Sequence, residues 1–152
     1  MSMQSIEVRT LTPTIGGEIS GVDIGRGVSN SQFEEIHQAL RDNLVIFFRD
    51  QDITLEQHKN FGRYFGELHI HPQPSVPVDG HPDVIAVRAN ENSTRVSGQY
   101  WHSDVTCDPT PPMGSILHLH EAPHNGGGDT LFANMYRHMK RYRNQCSVFS
   151  TD

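Results

Sequence analysis

Ser31-Gln32-Phe33-Glu34-Glu35-Ile36-His37-Gln38-Ala39-Leu40-Arg41-Asp42-Asn43-Leu44-Val45-Ile46-Phe47-Phe48 reads as a helix followed by the strand it packs on. Ser31 and Glu34 have capping-box spacing, and Phe33, Ile36 and Leu40 recur at three and four, which predicts an amphipathic helix over 31–42. The run 44–48 is of strand length and has no polar face, so it is expected to be buried on both sides and to receive the helix's apolar stripe. Upstream, 6–24 alternates short apolar pieces with Gly16, Gly17, Gly21 and Gly25, the pattern of short strands joined by tight turns. Downstream, Thr54-Leu55-Glu56-Gln57 is a second capping box; His58, Phe61 and Phe65 mark one helix face, and Gly66 is placed to end that helix in the left-handed conformation. Prolines 72, 74, 77 and 82 impose a loop before a strand at 84–87, and 115–120 alternates like a strand. Two early helices followed by strands and long loops give an α+β fold with a mainly antiparallel sheet.

The chain has 152 residues, about one domain. Its 12 basic and 18 acidic side chains give a net charge of −6, which argues against nucleic acid as a partner. No apolar run reaches the roughly 18 residues that span a bilayer, and no charged n-region leads an apolar one, so no membrane contact and a cytoplasmic location are expected. Charge is uneven: residues 1–136 carry 8 basic and 17 acidic side chains, whereas 137–152 carry 4 and 1. Residues 1–136 and the anomalous tail 137–152 are accordingly read as distinct. Cys107 and Cys146 lack metal or disulfide spacing and are expected as reduced thiols, Cys107 as a small buried residue. Ten histidines are the unusual count, and histidine is the commonest side-chain metal ligand.

His102-Ser103-Asp104 is the sharpest local signal. On a strand, residues two apart share a face, so an imidazole and a carboxylate reach one ion; a further histidine would complete a 2-His-1-carboxylate triad on iron(II). The competing reading is a surface turn or a His–Asp hydrogen bond. His118 and His120 share a strand face that is expected to be polar, and His124 is expected to be exposed.

Five ordered motifs carry a family resemblance: 15–23 (Ile-Gly-Gly-Glu-Ile-Ser-Gly-Val-Asp), 45–51 (Val-Ile-Phe-Phe-Arg-Asp-Gln), 65–72 (Phe-Gly-Glu-Leu-His-Ile-His-Pro), 101–106 (Trp-His-Ser-Asp-Val-Thr) and 126–132 (Gly-Gly-Gly-Asp-Thr-Leu-Phe). With these, residues 6–136 resemble the taurine dioxygenase/TfdA-like family of iron(II)- and 2-oxoglutarate-dependent dioxygenases. The resemblance implies the N-terminal portion of a double-stranded β-helix (jelly-roll) fold with two flanking helices, incomplete at its C-terminus. It implies His102 and Asp104 as iron ligands, Thr130 as a contact to 2-oxoglutarate and His71 as a contact to the substrate's anionic head. Iron(II), 2-oxoglutarate and dioxygen are the implied cofactor and cosubstrates, and the substrate a small, sulfonate-like anion. Pro74 and Gly98 stand where taurine dioxygenase has a substrate-contacting tyrosine and asparagine, which counts against taurine itself.

The family's third ligand, a histidine, and the arginine that anchors 2-oxoglutarate lie far downstream of the His-x-Asp motif. Without them the chain as written is expected to be catalytically incompetent on its own. A backward frame shift after Arg137 yields, under one permissible codon choice, a sequence like the family's next helix, so residues 138–152 are expected to be a frameshift product. Homo-oligomerisation is an expectation for a full-length chain only. A non-catalytic truncated remnant and a simple metal-binding β-domain using His118 and His120 are the alternatives.

Overall fold

The computed structural model describes residues 5–71, 77–90, 92–94, 96–124 and 126–148. The chain forms two compact units, Met1–Gln57 with Leu119–Asp152, and His58–His118.

In the first unit, β1 (Glu7–Thr10) pairs antiparallel with β2 (Gly17–Ser20), and β2 pairs in parallel with β3 (Ile46–Phe48), in the order β1-β2-β3. A parallel return needs a crossover, and α1 (Asn30–Asn43) supplies it, packing on β2 and β3. This three-stranded sheet is therefore mixed. β3 is an edge strand of three half-buried residues, shorter and less buried than the run 44–48 suggested. Leu44 is the reason: it terminates α1 at φ 65°, donating its N–H to the Leu40 carbonyl at 2.7 Å. The helix start also moves, because Ser29, not Ser31, is the cap. Its hydroxyl accepts from Gln32 N at 3.2 Å, while Gln32 Oε1 accepts from Ser29 N at 3.0 Å.

Ile36 is completely buried on α1 and Ala39 lies beside it on the helix's inner face; Ile6, Ile19, Ile24 and Val28 complete the buried apolar set of this unit. Gly17 is required by close approach, since a Cβ there would come within 2.9 Å of the Asn43 side chain. Two glutamines join the loops. Gln51 accepts from Ile24 N at 2.8 Å and donates to the Val22 and Arg49 carbonyls, and Gln57 donates to the Gly25 carbonyl at 2.8 Å. Glu35 of α1 holds the start of β1 by accepting from Ser5 N, Ser5 Oγ and Ile6 N. Phe132 packs edge-on against Phe47, and Asn134 donates to the Thr14 carbonyl at 2.6 Å before α3 (Met135–Val148) begins.

α2 (Leu55–Arg63) starts at the expected box, Thr54 N donating to Gln57 Oε1 at 2.7 Å and Gln57 N to Thr54 Oγ1 at 3.3 Å. In the second unit Phe61 is buried and meets Phe65 edge-on at 5.5 Å. Gly66 has φ 142°, a positive value that favours glycine but far from the left-handed helical φ of about 57°, so the helix ends in tightening turns rather than in a left-handed cap. The hairpin β4 (Pro77–Val78) and β5 (His81–Ile85) lies upstream of the strand expected at 84–87. Lys59 of α2 fixes it through a 2.9 Å ion pair with Asp83, both side chains largely buried. Burial, the largest single influence, pushes the Asp83 carboxyl up, but Lys59, a backbone hydrogen bond and the Arg63 charge together hold the group below its ordinary value. Pro72 and Pro74 lie outside the described residues.

Residues 115–120 form no ladder among the described residues, against expectation, and Leu117 and Leu119 are about 70% exposed. The alternation is there, but a strand exists only when a neighbouring strand takes up its N–H and C=O groups. Among the described residues no helix is long and apolar enough to cross a membrane.

Ile36→Ala is expected to destabilise the fold by about 2–5 kcal/mol and Ser29→Ala by about 1 kcal/mol in urea titration; equal, negligible losses would contradict the packing described. Donors led by the Ser5 backbone hold the Glu35 carboxyl below the usual range. A depressed folded-state pKa contributes stability above the unfolded pKa and loses it as pH falls through the folded one. The stability gap between wild type and Glu35→Gln is thus predicted to be widest at neutral pH and to shrink in acid, measured as urea midpoints at both pH values; a gap that grows in acid reverses the sign and the assignment.

Candidate metal centre

His102-Ser103-Asp104 lies in a loop and turn, not on a strand. Residues 104–107 form the turn, closed by Asp108 N donating to the Val105 carbonyl at 3.1 Å. Val105 sits at φ 49°, a left-handed conformation that costs a β-branched residue on the order of 1–3 kcal/mol. Side chains on both sides hold the turn: Ser103 Oγ and Thr106 Oγ1 are 2.8 Å apart. Asp108 accepts from Thr110 N at 2.8 Å and meets His69 Nε2 at 3.4 Å. The Thr110 amide first, and His69 second, hold the Asp108 carboxyl below its ordinary value.

The turn brings the two predicted ligands together even though the strand geometry was wrong. His102 Nε2 stands 3.2 Å from Asp104 Oδ1, with both side chains about half exposed. His102 Nδ1 is 2.7 Å from the Tyr100 carbonyl, which can only accept, so Nδ1 carries a proton. The neutral imidazole then presents the Nε2 lone pair, the atom a metal takes, with its other nitrogen oriented by a backbone carbonyl. A bare lone pair facing a carboxylate oxygen is repulsive, so the contact requires a positive charge: a second ring proton or a cation. The Tyr100 hydrogen bond first, and the Asp104 charge after it, raise the His102 pKa above its ordinary value. The spacing also suits adjacent positions on a six-coordinate ion, where donors about 2.1 Å from the metal at right angles lie about 3.0 Å apart.

The other predicted site residues are placed as follows. Thr130 is exposed in the loop before α3, in the first unit, and His71 is half-buried in the second. His118 packs edge-on against His58 at 5.8 Å, and His120 and His124 are exposed. Cys107 is exposed rather than buried, because it falls on the open turn after Asp104; nothing is described of the Cys146 side chain. Among the described residues no three His, Cys, Asp or Glu side chains converge, at His102 and Asp104 or at His118 and His120. Gly98, read as a departure from a substrate contact, has φ 81° and faces the His102 ring, 3.4 Å from Cε1 to where a Cβ would lie.

The sequence matches the family described as "Taurine catabolism dioxygenase TauD, TfdA family" over residues 7–145. The chain belongs to that family. It is 32% identical over 141 residues to an "Alpha-ketoglutarate-dependent sulfonate dioxygenase" of Saccharomyces cerevisiae, covering 85% of this chain and 33% of the relative. It is 35% identical over 132 residues to an "Alkylsulfatase" of Acinetobacter baylyi, covering 86% of this chain and 40% of the relative. Among solved structures, a taurine dioxygenase from Burkholderia xenovorans superposes with a TM-score of 0.51 at 42% identity, over 57% of this chain and 31% of the other. This TauD/TfdA chain thus spans a third to two fifths of the curated relatives it matches.

Because Gly98 is left-handed against the His102 ring, Gly98→Ala is predicted to cost about 1 kcal/mol and Gly98→Asn less, Asn being the better tolerated at positive φ. Chemical denaturation of the two variants checks the order; an Ala variant as stable as wild type contradicts it.

Proposed function

We propose that this chain carries two iron(II) ligands, His102 and Asp104, and the 2-oxoglutarate contact Thr130 of a dioxygenase that hydroxylates a small, anionic, sulfonate-like substrate, with His71 meeting the anionic head. One observation carries the reading: His102 Nδ1 lies 2.7 Å from the Tyr100 carbonyl, which leaves Nε2 facing a carboxylate oxygen of Asp104 3.2 Å away, a pair that a divalent cation could bridge. The family supports the reaction class, and the sulfonate dioxygenase and alkylsulfatase among the relatives support an oxidised-sulfur anion as substrate. The jelly-roll expected from the resemblance belongs to the same proposal, supported by the likeness to the solved taurine dioxygenase.

When bound, iron with 2-oxoglutarate and dioxygen supplies the oxidising chemistry, decarboxylating 2-oxoglutarate to succinate as the substrate is hydroxylated. This chain's residues hold and orient. Tyr100 keeps His102 in the ligating tautomer, and the turn keeps Asp104 beside it. The Thr130 hydroxyl would donate to a carboxylate of 2-oxoglutarate. Two protein ligands leave the metal weakly held, so residues 1–152 alone are expected to bind iron without turnover.

Ferrous ion binding, titrated anaerobically, is predicted to be lost in the His102→Ala, Asp104→Ala double variant and retained in a His118→Ala, His120→Ala double variant. Succinate from 2-oxoglutarate is predicted to stay at the iron-only background. Iron uptake untouched by the first pair of changes would sink the proposal.

A further inference from the structure

Asp104 has a partner that the His-x-Asp motif does not contain. Its Oδ2 accepts a 2.7 Å hydrogen bond from the Ser115 hydroxyl, while Oδ1 is the oxygen turned to His102. We infer that Ser115 is a positioning residue that fixes the Asp104 carboxylate for one-oxygen coordination of a divalent cation. The inference rests on the proposed metal centre and adds to it the residue that sets which oxygen faces the ion.

An aspartate carboxylate turns readily about its last bond, because that torsion is broad and roughly two-fold. Asp104 is about half exposed, so packing does not stop the rotation. Among the described residues, Ser115 is the donor that holds Oδ2. A hydroxyl suits the task chemically: it donates one proton in a defined direction and brings no charge, so the carboxylate keeps its full negative charge for a cation at Oδ1. A lysine or arginine would orient it equally well but repel the ion. Donation to Oδ2 also disfavours two-oxygen chelation, which would need both oxygens turned to the metal. The covalent path fits this arrangement: the strained Val105 turns the chain directly after Asp104, and Pro109, Pro111 and Pro112 stiffen the loop that brings Ser115 back to it.

The test is Mn(II) binding to the full chain, read from water-proton relaxation enhancement, for wild type and four variants. Asp104→Asn sets the floor. Ser115→Ala is predicted to weaken Mn(II) binding about 10-fold, within the range seen when the partner that orients a ligand is removed. Ser115→Thr, which keeps the hydroxyl, is predicted to restore affinity to within about 2-fold of wild type. Ser115→Cys, close in size but a poor donor, is predicted to bind as weakly as the Ala variant while its far-UV circular dichroism matches wild type, which separates loss of the hydrogen bond from misfolding. Ala or Cys variants that bind like wild type overturn the role of Ser115 and leave the metal centre standing, as does a Thr variant that fails to recover. Wild type that binds no better than Asp104→Asn overturns both.

Discussion

A histidine whose Nδ1 proton is committed to a backbone carbonyl can face a carboxylate with its other nitrogen only if a positive charge stands between them. His102 is in that position, with Tyr100 on one side and Asp104 on the other. The arrangement is not regular secondary structure. It is a turn that places a valine in the left-handed region and is held by hydroxyl contacts, Ser103 with Thr106 and Ser115 with Asp104. Backbone strain of this kind persists where the surroundings over-determine it, and it concentrates at functional sites.

Around this turn the second unit is held largely by polar contacts. Among its described residues the buried hydrophobe is Phe61, and the hairpin β4–β5 is joined to α2 through the Lys59–Asp83 pair. The first unit is different: a completely buried Ile36 under a three-stranded sheet, with glutamine side chains joining neighbouring loops. Several of the resembling motifs therefore carry structure. Gly17 admits the Asn43 side chain, and Gln51 supplies both an acceptor and a donor to the loop 22–24.

Elements whose signals are local were legible in the sequence. The two helices follow from apolar spacing and capping chemistry, although at the first one Ser29 won over Ser31 because its hydroxyl is the one that reaches an orphan N–H three residues on. What failed was non-local. The run 44–48 looked fully buried, but whether a strand is central or at an edge depends on partners far along the chain. The alternation at 115–120 met no neighbouring strand among the described residues, so periodicity alone did not make a ladder. His102 and Asp104 were named from the family motif and from an expected shared strand face; the strand is not there, and they meet because a turn brings them together. Ser115 carried no sequence signal, since a lone serine after Pro-Pro-Met-Gly says nothing about a carboxylate eleven residues earlier.

The most direct measurement of the central claim is the long-range ¹H–¹⁵N spectrum of the histidine rings, recorded with and without diamagnetic Zn(II). The account predicts that His102 keeps its proton on Nδ1 and that its Nε2 resonance shifts on adding the metal, while the rings of His118 and His120 do not respond. A response confined to His118 and His120, or a His102 ring that binds through Nδ1, would contradict it.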